Sequence, residues 1–191
     1  MLGSMRLFDV VGRFLGRVEV VFAGADEMLR EGEAALAGGD AMRARSMARR
    51  MLERVPGSPL GLALLADACE AAGLEAELAD TLEQLATRLG SNADVWLRVG
   101  NARTATAAPA EHTRDAYLRA LALAEPGTDA RRGALVALSA SDLARGDAMR
   151  ALAWLDRLEG DRSPEIALAK AEALLSLGHF SAAREALPTA P

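Results

Sequence analysis

The side chains that could act as nucleophiles, bases or metal ligands are few in this chain and far apart. There is one cysteine, Cys69, and there are two histidines, His112 and His179. Nucleophilic or metal-assisted chemistry needs several such groups to converge on one point, and no spacing here brings them together. We therefore predict that the protein is not an enzyme and that it holds no metal ion and no cofactor.

The composition narrows the remaining classes of function. The net charge of −5 argues against a nucleic-acid backbone as the partner. A single cysteine cannot form an intramolecular disulfide, so we expect a cytoplasmic setting. Lys170 is the only lysine, a bias that favours a GC-rich bacterial source. The sequence contains no apolar run of the length that spans a bilayer as a helix.

Two turns that contain glycine set the architecture. Gly39-Asp40 and Gly73-Leu74 lie 34 residues apart, and a fixed period of roughly 20 to 50 residues indicates units that must stack to bury their apolar faces. Alanine, at 42 of 191 residues, favours helices that pack closely. Glycine and proline breakers divide residues 25–187 into five helix pairs. These are predicted at 26–37 with 41–55, 59–72 with 75–89, 92–107 with 110–124, 129–145 with 148–158, and 164–177 with 181–187.

Residues 25–187 resemble the tetratricopeptide repeat family. The matching motifs are Trp96-x-x-Val99-Gly100 in a first helix and Tyr117-x-x-Ala120, followed by Pro126, in a second helix. The resemblance implies an all-α fold, a right-handed α-α superhelix (solenoid) of about five helix-turn-helix repeats. It also implies that the first helix of each pair lines a concave surface and that the second forms the convex back.

This register predicts a concave groove that is lined by leucines and flanked by carboxylates. Such a groove suits a basic or amphipathic peptide, with apolar anchors in the strip and Arg or Lys at the rim. The alternative is that the acidic faces are simply solvated and that the leucines belong to the core. The predicted groove residues are Leu29, Glu33, Leu36, Ala63, Asp67, Glu70, Asp94, Leu97, Asn101, Val136, Leu143, Leu168 and Glu172.

An amphipathic helix is predicted within the N-terminal segment, residues 1–24, which the repeats do not explain. Its apolar face is too large to remain exposed. It could cap the first repeat, pair with another copy or a partner protein, or lie on a membrane surface beside Arg6, Arg13 and Arg17. Residues 1–4 resemble a cloning scar. The predicted interaction residues are Leu7, Phe8, Val11, Phe14, Leu15, Val18 and Phe22.

Taken together, the sequence predicts a non-enzymatic scaffold or adaptor that binds a protein or peptide partner. One alternative is a self-assembling structural protein, a homo-oligomer joined through the N-terminal helix. Another is a regulatory repeat domain of a larger protein, with residues 188–191 as its C-terminal tail or linker.

Overall fold

The computed structural model describes Leu7, residues 25–158, residue 160 and residues 163–187. Within these residues the chain forms helices and no strand. The helices, numbered here in chain order, are α1 Ala25–Ala37, α2 Ala41–Arg54, α3 Pro59–Ala71, α4 Glu75–Leu89, α5 Ala93–Ala105, α6 Ala110–Leu123, α7 Asp129–Ala144, α8 Ala148–Asp156, α9 Pro164–Ser176 and α10 Phe180–Ala186.

The predicted fold class is confirmed as an all-α solenoid of five helix pairs. Each helix packs against the next one along the chain, so the first helix of a pair contacts its own second helix and the second helix of the preceding pair. Every predicted helical segment is found, and its ends lie within two residues of the expected ones.

The turn chemistry explains most of these boundaries. The turns within four of the pairs each contain a glycine with positive φ, for example Gly39 at 81° and Gly146 at 80°, a conformation that costs glycine little. Asp40 and Asp147 then accept hydrogen bonds of 3.0 Å from backbone N–H groups three residues on and so cap the following helix.

The turn of the third pair departs from this pattern. Residues 106–109 connect α5 to α6, and Ala107 takes a positive φ of 51° in place of a glycine. The left-handed region is unfavourable for a residue with a Cβ atom. This turn is therefore the irregular one among the turns within pairs.

Small residues allow the helices of a pair to approach closely. A Cβ atom added at Gly100 in α5 would overlap the ring of Tyr117 in α6. The Tyr117 ring is held in this position by its hydroxyl, which hydrogen-bonds to Thr104 Oγ1 at 2.9 Å and to Asn101 Oδ1 at 3.1 Å. The contact joins the two motifs that identified the repeat in the sequence.

We predict that Gly100→Ala destabilises the fold in spite of the higher helix propensity of alanine. Overpacking against the held ring should cost about 2 kcal/mol net in the free energy of unfolding. Gly38→Ala is the matched control, since Gly38 is exposed and lies outside the left-handed region. Urea denaturation followed by circular dichroism measures both variants, and equal midpoints would contradict the close packing described.

Candidate functional site

The first helices of the pairs, α1, α3, α5, α7 and α9, form the inner face of the solenoid. Three of the four successive pairs of first helices touch one another: α1 with α3, α5 with α7, and α7 with α9. Among the described helices, no two successive second helices make contacts of similar extent. The array therefore curves toward the first helices, on which the predicted groove residues lie.

The inner face is open at its C-terminal end. Leu168 and Leu175 in α9 are 54% and 51% exposed, and Glu172 between them is exposed as well. Their spacing of four and three residues places them on one side of the helix. Because α9 packs against α8 and α10, this exposed side faces away from the outer layer. In α7, Val136 and Leu143 are half-buried.

The inner face is closed at α3. Residues 61–69 of this helix are all buried, with Ala63 at 0% and Asp67 at 7% exposure. A docked partner could not touch Ala63 in this arrangement, although the register assigned it to the groove surface. The helix is apolar on nearly every side, as its sequence PLGLALLADACEA shows, and such a helix is stable only when it is covered all round.

Leu7 lies against α3 and is fully buried. It belongs to the same buried cluster as Leu62 and Leu64, and Leu29 and Leu60 pack against that cluster. The backbone N–H of Leu7 donates a hydrogen bond of 3.0 Å to Asp67 Oδ1. The N-terminal segment thus contacts the predicted groove at Leu7.

The guanidinium of Arg98, in α5, partly neutralises the acidic rim at this point. It contacts Asp67 Oδ1 at 3.3 Å and also pairs with Glu70. Arg98 is mostly buried and Glu70 is half-exposed. No motif in the sequence predicts this pairing of α3 with α5. Separations of 31 and 28 residues, close to the repeat period, are the signal that could have suggested it.

The remaining predicted groove residues lie on α1 and α5. Leu29 and Leu36 are half-buried and pack on the core, and Glu33 in the same helix is half-buried. On α5, Asp94 and Asn101 are exposed. Asn101 Oδ1 accepts a hydrogen bond of 3.1 Å from the Tyr117 hydroxyl. Leu97 is half-buried and reaches α7, where a Cβ atom at Gly133 would lie 2.8 Å from Leu97 Cδ2.

A cavity of about 370 Å³ lies between α5, α6 and α7 beside the irregular turn. Half of its lining residues are alanines, and the others are Thr104, Thr113, Tyr117, Ser141 and Arg145. Thr104 lies three residues after Asn101 on α5, and Ala140 lies between Val136 and Leu143 on α7, so the cavity adjoins the sides of both helices that carry predicted groove residues. The turn beside it has four residues, one more than the other turns within pairs, and no motif in the sequence predicts the cavity.

The other predicted residues of the N-terminal helix lie outside the described residues. They are Phe8, Val11, Phe14, Leu15, Val18 and Phe22, and residues 188–191 fall outside as well. The part of the chain that the structure describes contains no helix both long and apolar enough to cross a bilayer. Over the same residues, no group of three or more His, Cys, Asp and Glu side chains is arranged to hold a metal ion.

The thiol of Cys69 in α3 is buried. Burial, with a smaller contribution from the negative charge of Glu77, raises the pKa of Cys69 to about 11. Burial also raises the pKa of Glu77, but hydrogen bonds from Arg45 and Arg49 outweigh this effect and leave that pKa below its usual value. A thiol with this pKa is almost wholly protonated at neutral pH.

We predict that Cys69 resists alkylation in the folded protein. With its pKa raised from 9.0 to about 11, the thiolate fraction at pH 8 falls about a hundredfold, and burial slows the reaction further. Iodoacetamide labelling followed by mass spectrometry should be at least that much slower than in the urea-unfolded chain, and the folded-state rate should rise with pH. Comparable rates in both states would contradict the burial of this side chain.

Comparisons with known proteins find similarity at the level of the fold. No protein-family model matches the sequence, and no curated protein matches it. The chain is similar to the crystal structure of MamA protein, at 17% identity over 85% of this chain and 87% of that one, with a TM-score of 0.76. It is also similar to TTC0263, a thermophilic TPR protein in Thermus thermophilus, at 22% identity, 85% and 88% coverage and a TM-score of 0.56.

A further similar structure is the Sgt2 TPR domain from Aspergillus fumigatus. It shares 24% identity over 68% of this chain and 83% of that domain, with a TM-score of 0.55. At such identities the likeness extends to the arrangement of the helices.

Proposed function

Because this chain has the tetratricopeptide-repeat fold, we propose that it is a non-enzymatic scaffold that binds a peptide or helical segment of a partner protein along its inner face. The observation that carries the proposal is the exposure of Leu168 and Leu175 on one side of α9. Exposed apolar side chains that share one face favour an interaction surface, and solvation alone gives no reason to keep two leucines there.

The charges around this surface favour a basic or amphipathic ligand. Glu172 lies between the two leucines, and Asp94 is exposed on α5. Within the described part of the chain, neither carboxylate takes part in an ion pair. Arg or Lys side chains of a ligand would meet these carboxylates at the rim, while its apolar side chains pack on the leucines.

The cavity beside the irregular turn supplies an anchor position for the same ligand. Its alanine wall suits an apolar side chain of leucine or phenylalanine size. Thr104 and Ala140, which are among its lining residues, lie on the first helices α5 and α7, and this supports an opening toward the inner face. A segment that lies along α7 and α9 would insert one side chain into the cavity and others against Val136, Leu143 and Leu168.

We predict that the chain selects peptides of this chemistry from a random display library. The enriched peptides should carry Leu, Phe or Met together with Arg or Lys. Leu168→Asp and Leu175→Asp should weaken binding of the selected peptides by about 2 kcal/mol or more, roughly thirtyfold, because each removes a central apolar contact. Fluorescence anisotropy with a labelled peptide measures the affinity.

Met42→Asp provides the matched control, since Met42 is an exposed apolar residue on the second helix α2. It should leave the affinity for the selected peptides unchanged. No enrichment over a blank surface, or equal weakening by all three substitutions, would refute binding at the inner face.

A further inference from the structure

The N-terminal half of the inner face already has an occupant, Leu7. Its side chain is fully buried although it lies 60 residues in sequence from Asp67, the residue that its N–H contacts. In a solenoid each repeat is expected to contact chiefly its neighbours. A contact by a residue that precedes all five helix pairs therefore adds to the packing that the repeats provide for themselves.

The carboxylate of Asp67 is held in position to accept this N–H. Asp67 is 7% exposed, and Arg98 contacts the same oxygen, Oδ1, at 3.3 Å. A buried carboxylate without such partners would be costly. The hydrogen bond from Leu7 is charge-assisted, and bonds of this kind are stronger than those between neutral groups.

The opposite end of the same face shows what the surface is like without such cover. Leu168 in α9 occupies a first-helix position that corresponds in the repeat register to Ala63 in α3. Leu168 is 54% exposed and Ala63 is fully buried. The two ends differ in that Leu7 packs against α3, whereas the groove-facing side of α9 is open.

We propose that the inner face at α1, α3 and α5 is a binding site for a leucine side chain. Leu7 of the same chain occupies this site, and a partner segment must displace Leu7 in order to bind. The proposal rests on the proposed function, because it identifies what competes with a partner for half of the groove. The scaffold is then closed at its N-terminal half and open at α7 and α9.

The contacts of Leu7 also specify the ligand that this half accepts. A competing segment needs an apolar side chain of leucine size and a backbone N–H free to donate to Asp67. Leu7 itself has helical backbone geometry, and the first turn of a helix offers N–H groups without partners in that helix. A helix that begins with a leucine in its first turn meets both requirements.

A labelled synthetic peptide of residues 1–22 tests the proposal against the full-length chain. In the wild type the tethered Leu7 competes at a high effective concentration, so the added peptide should bind weakly. Leu7→Asp in the chain removes the internal competitor, and we expect the peptide to bind at least about tenfold more tightly. A peptide that itself carries Leu7→Asp should not bind.

Met149→Asp provides the control, because Met149 is an exposed apolar residue on α8, the second helix of its pair. This variant should bind the labelled peptide with the affinity of the wild type. Equal affinity in all three chains would overturn the proposal. Loss of folded structure by circular dichroism in both Leu7→Asp and the milder Leu7→Ala would also overturn it, since Leu7 would then be part of the structural core. A wild-type dimer that dissociates in Leu7→Asp, seen by light scattering, would instead identify the occupant as a second copy.

A second readout isolates the contact with Asp67. In Asp67→Asn the chemical shift of the Leu7 amide proton should change, because its hydrogen-bond acceptor loses its charge. Asp94→Asn should leave this chemical shift unchanged. An unshifted amide would contradict the hydrogen bond.

The proposed function can fail independently of this inference. If the peptide of residues 1–22 binds Leu7→Asp while no library peptide binds any chain, the scaffold proposal falls. If library peptides bind at α9 but the peptide of residues 1–22 has the same affinity for the wild type and for Leu7→Asp, only the proposal that Leu7 occupies the groove is refuted.

Discussion

The fold depends on the need of each helix pair to cover its apolar faces with neighbouring pairs. A pair this small cannot bury enough surface alone, and stacking works only if the helices come close together. Alanine and glycine permit that approach, as at Gly100, where the Tyr117 ring occupies the space of a side chain. The same requirement places the first helices side by side and so creates an inner face that the repeats themselves leave uncovered.

The apolar side chains of the inner face are buried at α3 and partly exposed at α9. Helix α3 is apolar around most of its circumference, so its inner side must also be removed from water, and Leu7 contributes to that cover. Helix α9 alternates leucine with glutamate on its inner side and keeps Leu168 and Leu175 exposed. The difference in composition between two equivalent helices therefore accounts for a closed half and an open half.

The two buried carboxylates among the described residues, Asp67 and Asp142, each join helices. Asp142 in α7, 1% exposed, contacts Arg114 of α6 at 2.5 Å and accepts the indole N–H of Trp154 in α8 at 2.8 Å. Asp67 similarly joins α3 to Arg98 of α5. Such pairs contribute little stability over an apolar replacement but disfavour alternative registers, because a shifted pairing leaves a buried charge without its partner.

Periodicity in the sequence was enough to predict the helix pairs and their boundaries, because glycine turns and apolar spacing are local signals. The resemblance to tetratricopeptide repeats implied which helices face inward. It could not predict which inward positions remain accessible. Ala63 and Leu168 share a register position, but Ala63 is buried and Leu168 is exposed, a difference that depends on packing between helices. The pairing of Arg98 with Asp67 and the recess beside Ala107 are likewise products of side-chain packing between helices, which no single window of sequence contains.

Leu7 is buried against α3, while Leu168 and Leu175 remain in contact with solvent. Methyl NMR of the full-length chain with a soluble gadolinium chelate tests it directly, since the chelate broadens the signals of methyl groups near the surface. We expect the Leu7 methyls to be protected as strongly as those of Leu64, and the Leu168 and Leu175 methyls to be broadened. Broadening of Leu7 to the same degree as Leu168 would contradict it.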